Sequence, residues 1–431
     1  MSAANAKSAN SLPADAFYIS STTDRSLYKP KGWNMTSNAS HDYVNLVTAQ
    51  AQSFGGYTTF QVPINLAQYM GKLILSWNIN LGVTPGGANP YTGASAWWDD
   101  FLTIACIQRI ELVYGANQVQ VLQGEELLTM YYNQLFDEQE RYAFRDDLNG
   151  PLPHSVRVNR MQQNPNQQLL FCRLAVPLYW THTTHVFQPQ TLGAYQTINV
   201  YWRPLSELRG STGDGAFVYT TNPAIQDQVL RAEVVYVEQN EAAALVSMTS
   251  SDSGLLTLMR FAQVIQPSSP SINNGQTLAI DLNMQGLNAP TQTMAILLRS
   301  AADIQTPDQV SRWNFRGFKY DTLRIQSIEL IVSGGTVRTV YSATEGLYDE
   351  DQNRFNHYPL LGPIYFVDFA KHASALTKTA GSIDIAGLAN PILRVTVTNN
   401  TGAVFTPVFQ LLAWTHNIAN LKQGTLSRVF Q

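Results

Sequence analysis

The sequence predicts an all-β chain folded as two tandem jelly rolls, antiparallel eight-stranded β-sandwiches carrying short helical insertions, and three observations lead there. Short apolar runs rich in β-branched and aromatic residues, several alternating with period two, recur through both halves of the 431 residues with turn residues between them. One run is repeated: Ile107-Gln108-Arg109-Ile110-Glu111-Leu112-Val113 returns as Ile325-Gln326-Ser327-Ile328-Glu329-Leu330-Ile331, with five of seven residues identical at an offset of 218. The length divides into two domains of about 200 residues, room for eight strands and long loops in each, whereas immunoglobulin sandwiches run nearer 100 residues.

In chain order, strands are expected at 58–66 (TTFQVPINL), 72–81 (KLILSWNINL), 103–114 (TIACIQRIELVY), 169–180 (LLFCRLAVPLYW), 196–202 (QTINVYW) and 230–238 (LRAEVVYVE), separated by turn chemistry such as TPGGANP, LNGPLP and GSTGDG. A helix follows Gly124 over EELLTMYYNQLF, where Glu125 and Glu126 suit the positive end of a helix dipole and Leu128, Tyr131, Tyr132 and Leu135 share one face. EAAALVSM (241–248) is a second, shorter helical candidate, and both are expected as insertions between strands. The second half returns to strands in TLAIDL, AILLRS, TLRIQSIELIVSGG, TVRTVYSA, PIYFVDFA, ILRVTVTN and FTPVFQLLAW.

The order of features repeats as well. Each copy of the seven-residue run meets a glycine turn, Gly115 or Gly334-Gly335, then a second strand, a Pro-containing apolar strand (AVPLYW; GPIYFV) and a late alternating strand (TINVYW; ILRVTV). If the copies are equivalent, Ile110 and Ile328 face inward while Glu111 and Glu329 turn to the other side of the pleat. Residues 1–50 and 418–431 are non-periodic and are expected as N-terminal and C-terminal arms. Between them lie a first roll at 51–240 and a second at 241–417, entered through a short helical connection.

Charged residues are 13% of the chain against about 25% in typical globular domains, and about 60 Asn and Gln make the surface polar through amides. This excludes charge-driven disorder and suits a surface covered by copies of itself or by partners. A net charge of −4 argues against strong nucleic-acid binding, the densest basic stretch being Arg25, Lys29 and Lys31. Cys106 and Cys172 lie in the apolar stretches IACIQ and LLFCRL and read as buried thiols, with a reducing compartment as the default. Residues 1–16 show no apolar signal region, no run reaches the ~18 apolar residues of a membrane helix, and the sequons at Asn34, Asn38 and Asn399 read as chance matches.

Candidate chemistry is sparse. His182 and His185 would point to opposite faces of a strand and converge on a metal only in a turn, and His41, His154, His357, His372 and His416 are scattered singly. The carboxylates Asp99-Asp100, Glu125-Glu126, Asp146-Asp147 and Asp349-Glu350-Asp351 present no acid–base pair, and Asp137 to Arg141 reads as a solvated helix end. The glycine clusters at 86–93, 210–215 and 333–336 lack the Lys-Ser/Thr of a phosphate loop, and no Gly-x-Ser-x-Gly elbow occurs. Trp97-Trp98, Tyr131-Tyr132 and Tyr179-Trp180 read as core or interface packing ahead of sugar or base stacking. No catalytic, cofactor-binding or metal-binding residue is assigned.

From about Tyr57 to about Trp414 the order and spacing resemble the double jelly-roll major capsid proteins of icosahedral double-stranded DNA viruses, those of eukaryotic large DNA viruses or of smaller relatives such as virophages. IELVYG with the helix GEELLTMYYNQL is similar to the middle of a first roll. LRAEVVYVEQNEAAAL resembles its closing strand and exit, and 366–398 resembles the late strands of a second roll. The resemblance implies a non-enzymatic shell protein that forms homotrimeric, pseudo-hexagonal capsomers in a virion assembled inside the host cell. Its implied partners are itself, neighbouring capsomers, penton and minor capsid proteins and, where present, an inner membrane, with no sequence-specific nucleic-acid binding and no cofactor. The alternatives are a jelly-roll lectin or adhesin and, third, a cupin-type or carbohydrate-active enzyme.

Overall fold

The computed structural model describes residues 39–64, 66–80, 95–99, 101–133, 169–181, 195–212, 223–237, 255–266, 270–301, 322–342, 347–348, 364–369, 381–422 and 424–428, with isolated positions between them. The first half forms β1 (Ala39–Asn45), β2 (Val47–Gln50), β3 (Tyr57–Val62), β4 (Tyr69–Asn80), β5 (Ser95–Trp98), α1 (Leu102–Ala105), β6 (Ile107–Tyr114), β7 (Asn117–Gln123), α2 (Gly124–Asn133), β8 (Leu169–Ala175), β9 (Gln196–Trp202), β10 (Arg209–Thr212) and β11 (Ala224–Val237). The second half forms β12 (Leu255–Ile265), β13 (Thr277–Asn283), β14 (Thr291–Ser300), β15 (Leu323–Val332), β16 (Gly335–Ser342), β17 (Leu347–Tyr348), β18 (Tyr365–Asp368), β19 (Ile392–Asn399), β20 (Pro407–Lys422) and β21 (Thr425–Arg428).

No sheet among the described strands mixes the halves. Roll one holds β1-β11-β4-β8, β2-β3-β9-β6-β7 and the ribbon β10-β5; roll two holds β12-β20-β14-β18, with β21 on β20, and β13-β19-β15-β16-β17. Without the additions β2, β5, β10, β17 and β21, each half has eight strands in the same permutation. Numbered along its own half, one sheet runs first-eighth-third-sixth and the other second-seventh-fourth-fifth. Antiparallel pairing of the first strand with the last, as in Ala39↔Val237 and Leu255↔Leu421, is the wrapping that defines a jelly roll.

The seven-residue repeat occupies the fourth strand of each roll, β6 and β15. Glu111, Leu112 and Val113 pair with Asn199, Ile198 and Thr197, as Glu329, Leu330 and Ile331 pair with Arg394, Leu393 and Ile392. Register shifts fall at the same place in both, around Gln108 and Gln326, and again opposite β7 and β16 around Val119 and Val337. Both hairpins then turn through two residues: Gly115-Ala116 with Gly115 at φ 56°, and Ser333-Gly334 with φ 52° and 80°. Primed turns demand positive φ there, which is why each copy carries glycine. Ile110 and Ile328 are fully buried, as expected of inward positions.

Several expectations are corrected. Residues 103–106 belong to α1 and the bend after it, so the strand expected from 103 begins at Ile107; the strand expected over 169–180 ends at Ala175, its remaining residues turning beneath the sheet. Alternation fails as a guide there because residues 101–107 and 176–180 are buried throughout, whatever their backbone. Residues 39–50, inside the expected N-terminal arm, form β1 and β2, and residues 418–428, inside the expected C-terminal arm, complete β20 and form β21. Leu46, Ala419, Leu421 and Leu426 from those segments are buried in the core. Within the helical candidate at 241–248, the described residues Ala242, Ala243, Val246 and Ser247 are helical, as expected.

Candidate functional site, the junction between the rolls

In the sheet β12-β20-β14-β18, the strands β14 and β18 and most of β20 are buried on both faces. Met294, Ile296 and Leu298 of β14 and Phe409, Leu411 and Ala413 of β20 enter the core of roll two. The alternate residues Ala295, Leu297, Leu412 and Trp414, with Phe366 of β18, enter the same apolar cluster as Phe60, Trp77, Ile110 and Trp202 of roll one. A strand covered on two sides has no polar face to show, so β14 is buried from Thr291 through Arg299.

On the roll-one side, the helical insertions fill the gap. Leu102, Ile104 and Ala105 of α1 and Leu127, Leu128 and Met130 of α2 belong to the shared cluster. Gly124 starts α2 in close contact with the chain beneath it, since a Cβ there would meet the Ile107 carbonyl oxygen at 2.5 Å. The acidic first turn expected from the dipole is present, and Thr129 donates its hydroxyl to the Glu125 carbonyl at 2.8 Å.

Within this apolar junction lies a charged cluster that spans the rolls. Glu125 Oε1 lies 3.4 Å from Arg203 of roll one and 3.3 Å from Arg299 at the end of β14 in roll two. All three side chains are under one-tenth exposed: 9% for Glu125, 8% for Arg203 and 4% for Arg299. Arg203 donates to the carbonyls of Ala105 (3.0 Å) and Ile107 (3.4 Å), satisfying the C-terminal end of α1, and lies 3.7 Å from Glu207. Arg299 donates to Gln410 Oε1 at 3.1 Å. Burial pulls the Arg299 guanidinium below its ordinary value; Glu125 opposes that pull, and Arg203 adds to it.

The end of the chain makes a second bridge. Gly424, between β20 and β21, accepts hydrogen bonds through its carbonyl from the Gly193 amide at 2.7 Å and from the Tyr114 hydroxyl at the end of β6. The arrangement welds two rolls into one body. It offers no nucleophile with a base beside it, and no group of three or more metal-ligating side chains occurs among the described residues.

Of the residues singled out in the sequence, Glu125 and Glu126 are here, buried at 7% and 1%. Tyr179 and Trp180 are buried and meet edge to face at 4.9 Å, as core packing predicts. Burial also pushes the Tyr179 hydroxyl well above the usual tyrosine range. Cys106 and Cys172 are both fully buried, as the apolar stretches around them predict. Asn399 is fully buried and donates to the carbonyls of Ile272 and Ala403 at 2.7 and 2.8 Å, so that sequon is structural. His41 is exposed, 3.8 Å from Glu233, and His416 is buried in β20. His154, His182, His185, His357 and His372, with Asp100, Asp137, Asp146, Asp147, Asp349, Glu350 and Asp351, lie outside the described residues. Sequence reading missed Arg203 and Arg299; the available signal was a lone arginine closing an otherwise apolar strand, in YWRP and AILLRS.

No protein-family model matches the sequence, and no curated protein matches it. Solved structures do. PBCV-1 VP54, fitted into a cryo-EM reconstruction of the virophage Sputnik, matches with a TM-score of 0.69 at 12% identity, over 93% of this chain and 98% of that one. The Faustovirus major capsid protein gives 0.64 at 10% identity over 92% and 93%, and a chain of the Sputnik virophage solved by cryo-EM gives 0.61 at 11% identity over 94% and 91%. The strand permutation found twice in one chain, together with these matches over nine-tenths of each partner, shows that the chain has the double jelly-roll fold of viral major capsid proteins.

Proposed function

We propose that this chain is the major capsid protein of an icosahedral double-stranded DNA virus, with a structural and non-enzymatic role in the virion shell. The observation that carries the reading is the junction: two rolls of identical permutation share an apolar cluster and a buried ion cluster between them, so the chain behaves as one rigid two-roll tile. Three copies supply six rolls, a pseudo-hexagonal capsomer of about 144 kDa, three times the 47.9 kDa chain. Neighbouring capsomers, penton proteins and minor capsid proteins are its partners, and residues 1–38, ahead of β1, supply contacts to them. With 27 basic against 31 acidic residues, counterion release gives the tile little affinity for the genome.

The test is light scattering and negative-stain electron microscopy of the purified chain. A species near 144 kDa with a hexagonal outline, assembling into closed shells with its penton partner, is the expected result. A stable monomer across micromolar concentrations refutes the shell role, and assembly unchanged by deletion of residues 1–38 refutes the role of that segment.

A further inference from the structure

The outer face of the sheet β2-β3-β9-β6-β7 carries an aromatic shelf. Tyr57 of β3, Tyr201 of β9 and Arg109 of β6 stand in one row across three strands. The two tyrosine rings stack with centroids 5.3 Å apart, and the Arg109 guanidinium lies over the Tyr201 ring, 3.9 Å from its centre. Thr59, Asn199 and Glu111 form the next row along the same strands. Thr59 donates its hydroxyl to Asn199 Oδ1 at 2.9 Å, and Arg109 Nε donates to Glu111 Oε1 at 2.6 Å.

Roll two supplies an internal control. At the same register, Ala279, Thr396 and Ser327 take the places of Tyr57, Tyr201 and Arg109, and the strand permutation is unchanged. A jelly roll of this permutation therefore closes without an aromatic row, so the row in roll one answers to something besides the fold.

What the shelf leaves open defines a ligand. β2 pairs with β3 only as far as Thr59, so no strand flanks Tyr57 on the side away from Tyr201. Neither the Tyr57 hydroxyl nor the Asn199 amide nitrogen is taken up by another described residue. A guanidinium has five N–H donors, and the contact of Arg109 Nε with Glu111 uses one of them. Strands about 4.8 Å apart and alternate residues about 7 Å apart make the patch about 10 by 7 Å, the footprint of a sugar ring. Arg109 and Glu111 neutralise each other, which leaves no net charge for an anion to meet.

We propose that this shelf is a carbohydrate-binding site for neutral hexopyranosides: the C–H face of the sugar ring stacks on Tyr57, and the sugar hydroxyls take hydrogen bonds from the Asn199 amide and the Arg109 guanidinium. A stacking surface with a few convergent polar groups is the usual make-up of a small-ligand site. A nucleotide, the other ligand with a face to stack, brings a phosphate, and the cation in the row is already paired.

Saturation-transfer NMR on the full chain tests the site with the methyl glycosides of glucose, mannose and galactose, beside sialyllactose and adenosine monophosphate as charged comparisons. Transfer to the ring C–H protons of at least one neutral glycoside is expected. Tyr57→Ala installs the residue that roll two carries at that position and is expected to weaken binding about tenfold, whereas Tyr57→Phe, which keeps the stacking face, retains most of it. Tyr57 lies on the outer side of the sheet, and circular dichroism checks that both variants fold. No transfer to any neutral glycoside, transfer unchanged in Tyr57→Ala, or stronger transfer to either charged comparison overturns the proposal. None of these readings depends on the oligomeric state of the chain, so the shell role stands or falls separately.

Discussion

Removing the carboxylate of Glu125 is the sharpest probe of the junction. Its Oε1 sits 3.3 Å from Arg299 and 3.4 Å from Arg203, each under one-tenth exposed. At an effective dielectric near 20, a unit pair at that distance attracts by about 5 kcal/mol, much of which offsets the desolvation of the ions. Glu125→Ala leaves two guanidiniums buried without that anion, and breaking such a pair costs about 3–5 kcal/mol. Urea unfolding followed by tryptophan fluorescence is the assay, because Trp202 and Trp414 report the two rolls from the shared cluster. The midpoint is expected to fall, and the single transition to split as the rolls uncouple. Adding Arg299→Met to Glu125→Gln is expected to recover part of the loss, since the orphaned charge leaves with it. A Glu125→Ala loss below about 0.5 kcal/mol, or strict additivity in the double variant, refutes the claim that this cluster holds the rolls together.

Three further outcomes follow from the same geometry. Ile110→Asp and Ile328→Asp each bury a lone charge and are expected to abolish folding, whereas Glu329→Gln, half-buried on the outer side of its sheet, shifts the melting temperature little; soluble expression and calorimetry decide. Truncation after Asn417 withdraws Ala419, Leu421 and Leu426 from the core, and at about 1.5–3 kcal/mol for each buried leucine it is expected to yield an aggregating chain, a result that a well-behaved truncated protein would exclude. Arg394, hydrogen-bonded at 2.7 and 2.9 Å, holds the Asp281 carboxyl below its ordinary range, so its contribution is present above the unfolded value and lost as acid carries pH down through the folded one. The stability gap between the unaltered chain and Asp281→Asn is therefore expected to close in acid, and a gap of equal size at neutral pH and near pH 2 would count against it.

The fold was legible because a jelly roll writes itself in period two. β9 was found to the residue in QTINVYW, whose burial alternates without a break, and β19 in ILRVTV for the same reason. The repeat was legible because β6 and β15 share neighbours as well as composition, so the same residues solve the same packing problem twice. The far half of β20 went unread because polar Thr415, His416 and Asn417 are buried there and break the apolar pattern, which resumes only with Ala419 and Leu421. β1 was hidden for the opposite reason, since His41, Asp42 and Tyr43 are all exposed at a sheet edge. Glu125 was picked out as a helix start, but its partners Arg203 and Arg299 lie 78 and 174 residues away, a separation that no local pattern encodes.

Pairing the first strand of each roll with its last has a consequence during synthesis. β1 emerges from the ribosome long before β11, and β12 before β20, so neither sandwich can close until its final strand is made. Roll one is complete at Val237, but the residues of roll two that cover its junction face extend to Leu426. At about 5–20 residues per second, that leaves Phe101, Leu127 and their neighbours uncovered for about 10–40 seconds on every nascent chain. On a polysome, where neighbouring copies carry the same bare surface, the interval favours mispairing of one copy's first roll with another's second. Protection of that apolar surface until the last strands are made is thus a demand that this wrapped architecture places on the nascent chain.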